Sequence, residues 1–447
     1  MGQKIEELAR FAAETRLEDV PEPVRRHAKL VLLDTLGVIL AGSVRPEVRA
    51  LRDRLATSAG TGATVLAHGW PAHDPRSAAL LNGIAGRAIE LCEGLRLVSG
   101  QAGMQILPGV LAVAEHAGAS GRELLAALLL GYDVAARLGM AFTPRPLAHQ
   151  NGQVNLLAAA AAGARLRSLD ARGVSLAMRI ATTQLLTPSY TNAVAGATTL
   201  NVAGGMSGFV CALAPELALA GFEAQDDAVE EALGKLAGDG FKSEGLTDEL
   251  GSRWEITRNY FRLYACCNPI HPALDCLKEA LADLRPRADE VESIAFTTYR
   301  FASVMRNPDP PNYFASKYSL PHAAAVMVVR GGAGHGDIDD AALTDPVITA
   351  LRHRVTVAED PAMSALAPRL RPARVAVTLI DGRKSTRARD SHRGDFNDPF
   401  PEAELRNKFR ELAGYVLAPA TIAKVERAVD DCEQLGSARE LIALMRG

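Results

Sequence analysis

At 447 residues the chain exceeds what one ordinary hydrophobic core fills, so at least two domains are expected. Hydrophobic residues make up 48% and charged residues 23%, the balance of a globular protein in water. A net charge of -3 provides no general basic field for nucleic acid or an anionic membrane, so neither is expected as a partner.

The amphipathic start, residues 4 to 17, reads as a surface helix, with none of the cationic and apolar zoning of a signal peptide. Pro21 and Pro23 break it, and a second helix is expected over 23–41, ending at Gly42. Within it VLLDTLGVILAG is the nearest approach to a membrane span, but Asp34 and Thr35 interrupt it, and a buried helix is expected. A cytoplasmic location is expected. Residues 49–58 form a further helix before a Gly/Thr turn, and ATVLAHG reads as a short strand or an extended arm. RSAALLNGIAGRAIEL (76–91) is apolar nearly all round and should be buried. QILPGVLAVAEHAG, with Pro108 in its first turn, and GRELLAALLLGYDVAARLGMAF extend the helical series. NLLAAAAAGARLRSL, DARGVSLAMRIATTQL, the Gly-interrupted 199–222 and an acidic DDAVEEALGKLAG complete it.

After about residue 270 the pattern changes. PALDCLKEALADL is a helix, VESIAFTTYR a strand, and SLPHAAAVMVVRG a helix ending at Gly331. RHRVTVAED and ARVAVTLIDG are strands, the latter joined to KSTRARD by a hairpin about Asp381-Gly382. Helices return from 402. The chain is therefore mainly α: a large all-helical bundle domain, 1–268 plus 400–447, with an inserted smaller α+β domain, 269–399.

No GxGxxG, GxSxG, HExxH, Walker or EF-hand pattern is present, and GGMSG (204–208) reads as helix packing. The six cysteines make no CxxC pair, and His and carboxylates do not cluster, so no metal is expected. The densest chemistry lies in RWEITRNYFRLYACCNPIHPALDC, with Arg262, Tyr264, Cys266, Cys267 and His271. It joins the two kinds of structure, the natural place for an interdomain site. Glu90 and Glu93 stand one turn apart, and burial would raise the pKa of one of them enough to act as a base. His149 precedes an Ala-rich helix. Lys317, Tyr318, Ser319 and His322 form a corner suited to a carboxylate.

The blocks HAKLVLLDTLGVILAGS, LLNGIAGRAIEL, GVLAVAEHAGASGRELLAALLLGYDVAARLG, RWEITRNYFRLYACCNPIHPALD, SKYSLPHAAA and GDFNDPFPEAELRNKF, in this order, resemble the MmgE/PrpD family over nearly the whole chain. The resemblance implies the two-domain fold above, a homodimer, and cofactor-independent proton movement beside a carboxylate of a small acid. It implies a lyase, a dehydratase or a decarboxylase, with epimerisation as a related outcome. The family's acidic motif falls on AIELCEG, its outer acids on Glu90 and Glu93 and a middle Asp on Cys92. Its catalytic histidine stands as Gln101, and the lysine ahead of its Gly-rich helix falls near Thr199 or Leu200. Its later lysine matches Arg262, and a histidine of the decarboxylases matches Cys267. His149, His271 and Lys317 match polar family positions, and His322 takes an aromatic one. The expected acid/base groups are then His149, His322, Glu90 and His271. The expected substrate contacts are Gln101, Arg262, Tyr264, Cys267, Lys317 and Tyr318. Two alternatives follow from the altered set: a specialised biosynthetic enzyme catalysing elimination, cyclising addition or epimerisation, and a silent ligand- or partner-binding homologue. A pocket lined by Arg262, Lys317 and His149 points to a polycarboxylate, an apolar pocket to the specialised enzyme, and a filled cleft to the silent homologue.

Overall fold

The computed structural model describes residues 2–55, 62–67, 72–98 and 100–446. Helices α1 (Gly2–Glu14), α2 (Glu22–Gly42) and α3 (Pro46–Leu55) open the chain. Residues 56–58 of the expected third helix and 68–69 of ATVLAHG lie outside the described residues. The described part of that arm is β1 (Ala63–Thr64), antiparallel to β2 (Ala72–His73). There follow α4 (Pro75–Arg87), α5 (Ala102–Ala117), α6 (Gly121–Ala141), β3 (Phe142–Pro144), α7 (Val154–Leu166), α8 (Ala171–Ala181), α9 (Tyr190–Ala195) and α10 (Leu200–Leu219).

The sequence explains the helix contacts. Where α4 crosses α10, a methyl group on Gly83 would stand 2.7 Å from the Cα of Gly205. GGMSG is therefore helix packing, as read from the sequence. Asn82 acts differently. Its amide oxygen accepts from Leu66 N at 2.8 Å and its amide nitrogen donates to Thr64 O at 3.0 Å, tying the β1 arm to α4. Asp34 of α2 receives Lys408 Nζ at 2.6 Å, a buried tie to the C-terminal helices.

Three expectations are corrected. α4 stops at Arg87, short of Leu91, because the chain turns into the left-handed region at Glu90 (φ 51°). Pro108 lies well inside α5, whose first residue is Ala102. A proline there forgoes one ladder hydrogen bond. The acidic segment yields only a short helix, α11 (Ala228–Glu231), then a wider π-type turn and β4 (Gly238–Phe241), antiparallel to β3. Gly238 and Gly240 hid that strand from any period-2 pattern.

Among the described residues, α6 and α10 are the single helices long and apolar enough to cross a membrane, in place of VLLDTLGVILAG. The apolar window of α6 is 89% buried inside the bundle and that of α10 56%. Packing against its neighbours accounts for the apolarity of α6.

The second unit holds α12 (His271–Leu284), β5 (Val291–Thr298), α13 (Arg300–Ser303), α14 (Tyr313–Ser316), α15 (Leu320–Arg330), α16 (Asp340–Thr344) and α17 (Pro346–Arg352). It continues with β6 (Val355–Glu359), α18 (Pro361–Ser364), β7 (Ala373–Leu379) and β8 (Lys384–Arg389). Its sheet runs β6-β5-β7-β8, with β5 and β6 parallel and the other pairs antiparallel. Gly382 (φ 87°) makes the β7–β8 turn read from Asp381-Gly382. α19 (Glu402–Ala413), α20 (Pro419–Asp430) and α21 (Ala438–Ala443) return to the bundle. One apolar core is built from residues between 5 and 261 and between 405 and 445, a second from 266–379 with Ala193 and Leu200. A smaller third cluster includes Leu91, Cys92, Met104 and Ala265.

Candidate active site

The end of α4 builds the floor of the site. Glu90 holds a backbone conformation costly for a residue with a side chain. Its carboxylate lies between two fully buried guanidiniums. Arg87 Nη1 pairs with Oε2, and Arg262 Nη1 reaches Oε1 at 2.7 Å and the Glu90 carbonyl at 3.1 Å. The Tyr318 hydroxyl donates to Oε2 at 3.1 Å and receives Arg87 Nη2 at 3.2 Å. Burial opposes the charge on Glu90, but the two arginines win and hold its pKa far below the usual carboxylate range. Two cations against one anion leave the trio with one net positive charge.

Glu93, three residues on, is the opposite case. It accepts from the Tyr132 hydroxyl at 2.7 Å, Gly103 N at 2.8 Å and Asn259 Nδ2 at 3.3 Å, and among the described residues no cation lies at hydrogen-bond distance. Burial raises its pKa to about 7. The expectation that one of this pair is raised thus falls on Glu93, not on Glu90. Glu93 is protonated in the fold up to about pH 7 and in the unfolded chain only to about 4.5. Its contribution therefore declines as pH rises across that window, by about 3 kcal/mol in all. Urea unfolding at pH 5 and pH 8 checks this. Glu93→Gln should gain on the wild type by roughly that amount between the two pH values, whereas a constant difference would remove the assignment.

Above the floor, between the two units, lies a cavity of about 170 Å³. Five expected residues line it: Glu90, Gln101, His149, Cys267 and Tyr318. Gln101 stands at the N-cap position of α5 without a side-chain cap bond, and among the described residues its buried Oε1 has no partner. His149 comes from the β3–α7 loop. Its Nδ1 accepts from Asn151 N at 3.2 Å, which puts the proton on Nε2, and its ring stacks on Tyr190 (centroids 5.5 Å, planes 12° apart). Burial, reinforced by Arg87, lowers its pKa to about 3. It is a neutral hydrogen-bond donor rather than the base expected. The Cys267 thiol stands 3.8 Å from the Tyr190 hydroxyl, and burial raises its pKa to about 12, so it is no thiolate nucleophile.

The other five expected residues do not line the cavity. Arg262 acts from behind Glu90. Lys317 points into the second unit, its Nζ 2.7 Å from Ile338 O and 4.0 Å from the Tyr313 ring centroid, and burial lowers its pKa to about 7. His322 lies beside Arg352 (3.4 Å), so the corner read from SKYSLPH divides, with only Tyr318 facing the cavity. Tyr264 donates to Asp275 at 2.9 Å, and His271 Nε2 donates to Cys266 O at 3.0 Å. Both bonds are made away from the cavity lining, one to Asp275 of α12 and one from the first residue of α12 back to the Cys266 carbonyl.

Sequence reading missed Tyr190, Phe301, Asn268 and Arg371, which also line the cavity. Asn268 and Pro269 belong to the stretch singled out above. Tyr190 and Arg371 sit in LTPSYTN and RLRPAR, where no spacing marks them. Among the described residues no group of three or more His, Cys, Asp or Glu is placed to hold a metal.

The MmgE/PrpD N-terminal domain matches residues 6–239 and its C-terminal domain residues 264–434. The chain belongs to the MmgE/PrpD family. A cis-aconitate decarboxylase-like protein of Aspergillus oryzae is 24% identical, covering 100% of this chain and 98% of its own. The cis-aconitate decarboxylase of Aspergillus terreus is 23% identical over 98% and 95%, and that of Homo sapiens 24% over 95% and 90%. Together they place this MmgE/PrpD protein among lyases of the general dehydratase and decarboxylase type.

Proposed function

We propose that the protein is a cofactor-independent decarboxylase of a small unsaturated carboxylic acid. The observation that carries this is the lack of a strong base among the cavity side chains named above. Glu90 is held ionised by two arginines, His149 is held neutral with a pKa of about 3, and Gln101 is not basic. Dehydration needs a base for the α-proton as well as an acid for the departing hydroxide. Decarboxylation needs no proton removed from carbon. The bond between the substrate carbon and its carboxylate breaks, CO₂ leaves, and the electron pair stays on carbon, delocalised into the neighbouring unsaturated acid. A proton then returns to carbon. Tyr318 is the donor in this reading, since Arg87 at 3.2 Å stabilises the phenolate left behind. His149 Nε2–H and Gln101 offer hydrogen bonds to the delocalised charge, and solvent reprotonates Tyr318. The net positive charge of the floor draws the anion in, and Tyr190 and Phe301 give the departing carboxylate a poorly solvating wall.

The test is incubation of cis-aconitate and shorter unsaturated diacids with the enzyme in D₂O. The expected products are CO₂ and an acid carrying one solvent deuteron at a carbon of the delocalised system that bore the charge. Loss or gain of water with no CO₂ would sink the decarboxylase reading in favour of a dehydratase.

A further inference from the structure

Arg371 lies two residues before β7, is 4% exposed, and lines the same cavity as Glu90, from the small unit. Its guanidinium is held in one orientation. Nη1 donates to Asn268 Oδ1, and Nη2 donates to Arg96 O at 3.2 Å. Asn268 is itself fixed. Its Nδ2 donates at 2.7 Å to His392 Nε2, and His392 Nδ1 donates at 2.9 Å to Arg393 O. That sequence of bonds is self-consistent only with neutral His392 carrying its proton on Nδ1 and with the Asn268 oxygen turned to Arg371. Arg96, whose carbonyl braces the other side, is locked by Asp395 at 2.7 Å. Asn268 and the Arg96 carbonyl, both uncharged, hold two of its N–H groups, and a guanidinium held in place on the cavity wall is suited to a planar carboxylate. Gln101, whose buried Oε1 has no partner among the described residues, lines the same cavity.

We infer that Arg371 anchors a carboxylate that the substrate retains through the reaction, and that Asn268, set by His392, is its positioning residue. This rests on the decarboxylase reading only for which carboxylate departs. The anchor itself is a binding property. It makes the small unit, rather than the bundle alone, responsible for choosing acids with a second carboxylate across from the reacting one.

Calorimetric titration with maleate and with its neutral diamide, maleamide, tests it without turnover. Wild-type protein should bind maleate in preference to maleamide. Arg371→Met should weaken maleate by ~10–100-fold and maleamide by less than ~3-fold, the loss of one charge-assisted fork. Arg371→Lys should recover part of the loss. Asn268→Ala, which keeps the charge and frees its orientation, should weaken maleate by ~10-fold and leave maleamide unchanged. It carries the test if the Met variant does not fold. Equal losses for both probes, no loss for either, or no maleate binding by the wild type would overturn the inference. Retained maleate selectivity with no CO₂ from any acid would sink the decarboxylase reading and leave the anchor standing.

Discussion

Replacing Tyr318 by phenylalanine is expected to lower turnover by ~10²–10⁴-fold while changing KM little. The reason is geometric. The hydroxyl sits 3.1 Å from Glu90 Oε2 and 3.2 Å from Arg87 Nη2, at the boundary between a fixed anion and a fixed cation. Burial and Glu90 raise its pKa well above that of free phenol, so in the resting site the proton is retained. When negative charge develops on a substrate carbon, the phenol can release its proton to it, and Arg87 meets the phenolate. Removing the oxygen removes the donor but not the ring, which is buried and packed beside Phe314 at 5.5 Å between centroids. The measurements are kcat and KM for CO₂ release, with circular dichroism as the folding control. A variant that keeps full kcat would move the donor role to His149 or Cys267. If kcat falls while the deuteron is no longer delivered to a single face of the product carbon, protonation has passed to unpositioned water, which supports the assignment.

The fold was legible because its signals are long and redundant. The uninterrupted apolarity of RSAALLNGIAGR and the alanines of NLLAAAAAGARL leave no structure but buried helices, and the alternation in VESIAFTT and ARVAVTL leaves strands. The site was legible only where chemistry is dense along the chain. Glu90, Gln101, His149, Cys267 and Tyr318 were found, each beside a recognisable block. Lys317 and His322 misled because a helix start presents neighbouring residues to different sides: Tyr318 faces the bundle while its neighbours face the small unit's interior. Arg371 could not be found, since it is one arginine among several in RLRPAR and gains its role from Asn268 and His392, over a hundred and about twenty positions away. The direction of a pKa shift was equally hidden. Spacing alone made Glu90 and Glu93 equivalent, and only the placing of Arg87 and Arg262 separates them.

That separation leads to the largest expected effect on stability. Glu90→Gln leaves Arg87 and Arg262, both fully buried, facing a neutral amide. Among the described residues Nε of each lacks a partner, and the contacts that remain, the Tyr318 hydroxyl for Arg87 and the residue 90 and Cys266 carbonyls for Arg262, are uncharged. Breaking a buried ion pair from one side typically costs about 3–5 kcal/mol, because the charge left behind is uncompensated. A loss in that range is expected in urea unfolding. Glu90→Gln combined with Arg262→Met should recover part of it, since one of the two stranded cations is removed while Arg87 remains. The same substitution should act in the opposite sense on anions. With the floor one charge more positive, maleate should bind the variant more tightly and stabilise it more than it stabilises the wild type. If Glu90→Gln were as stable as the wild type and indifferent to maleate, the two guanidiniums would have to be neutralised elsewhere. The floor of the cavity would then not be the feature that draws an acid into it.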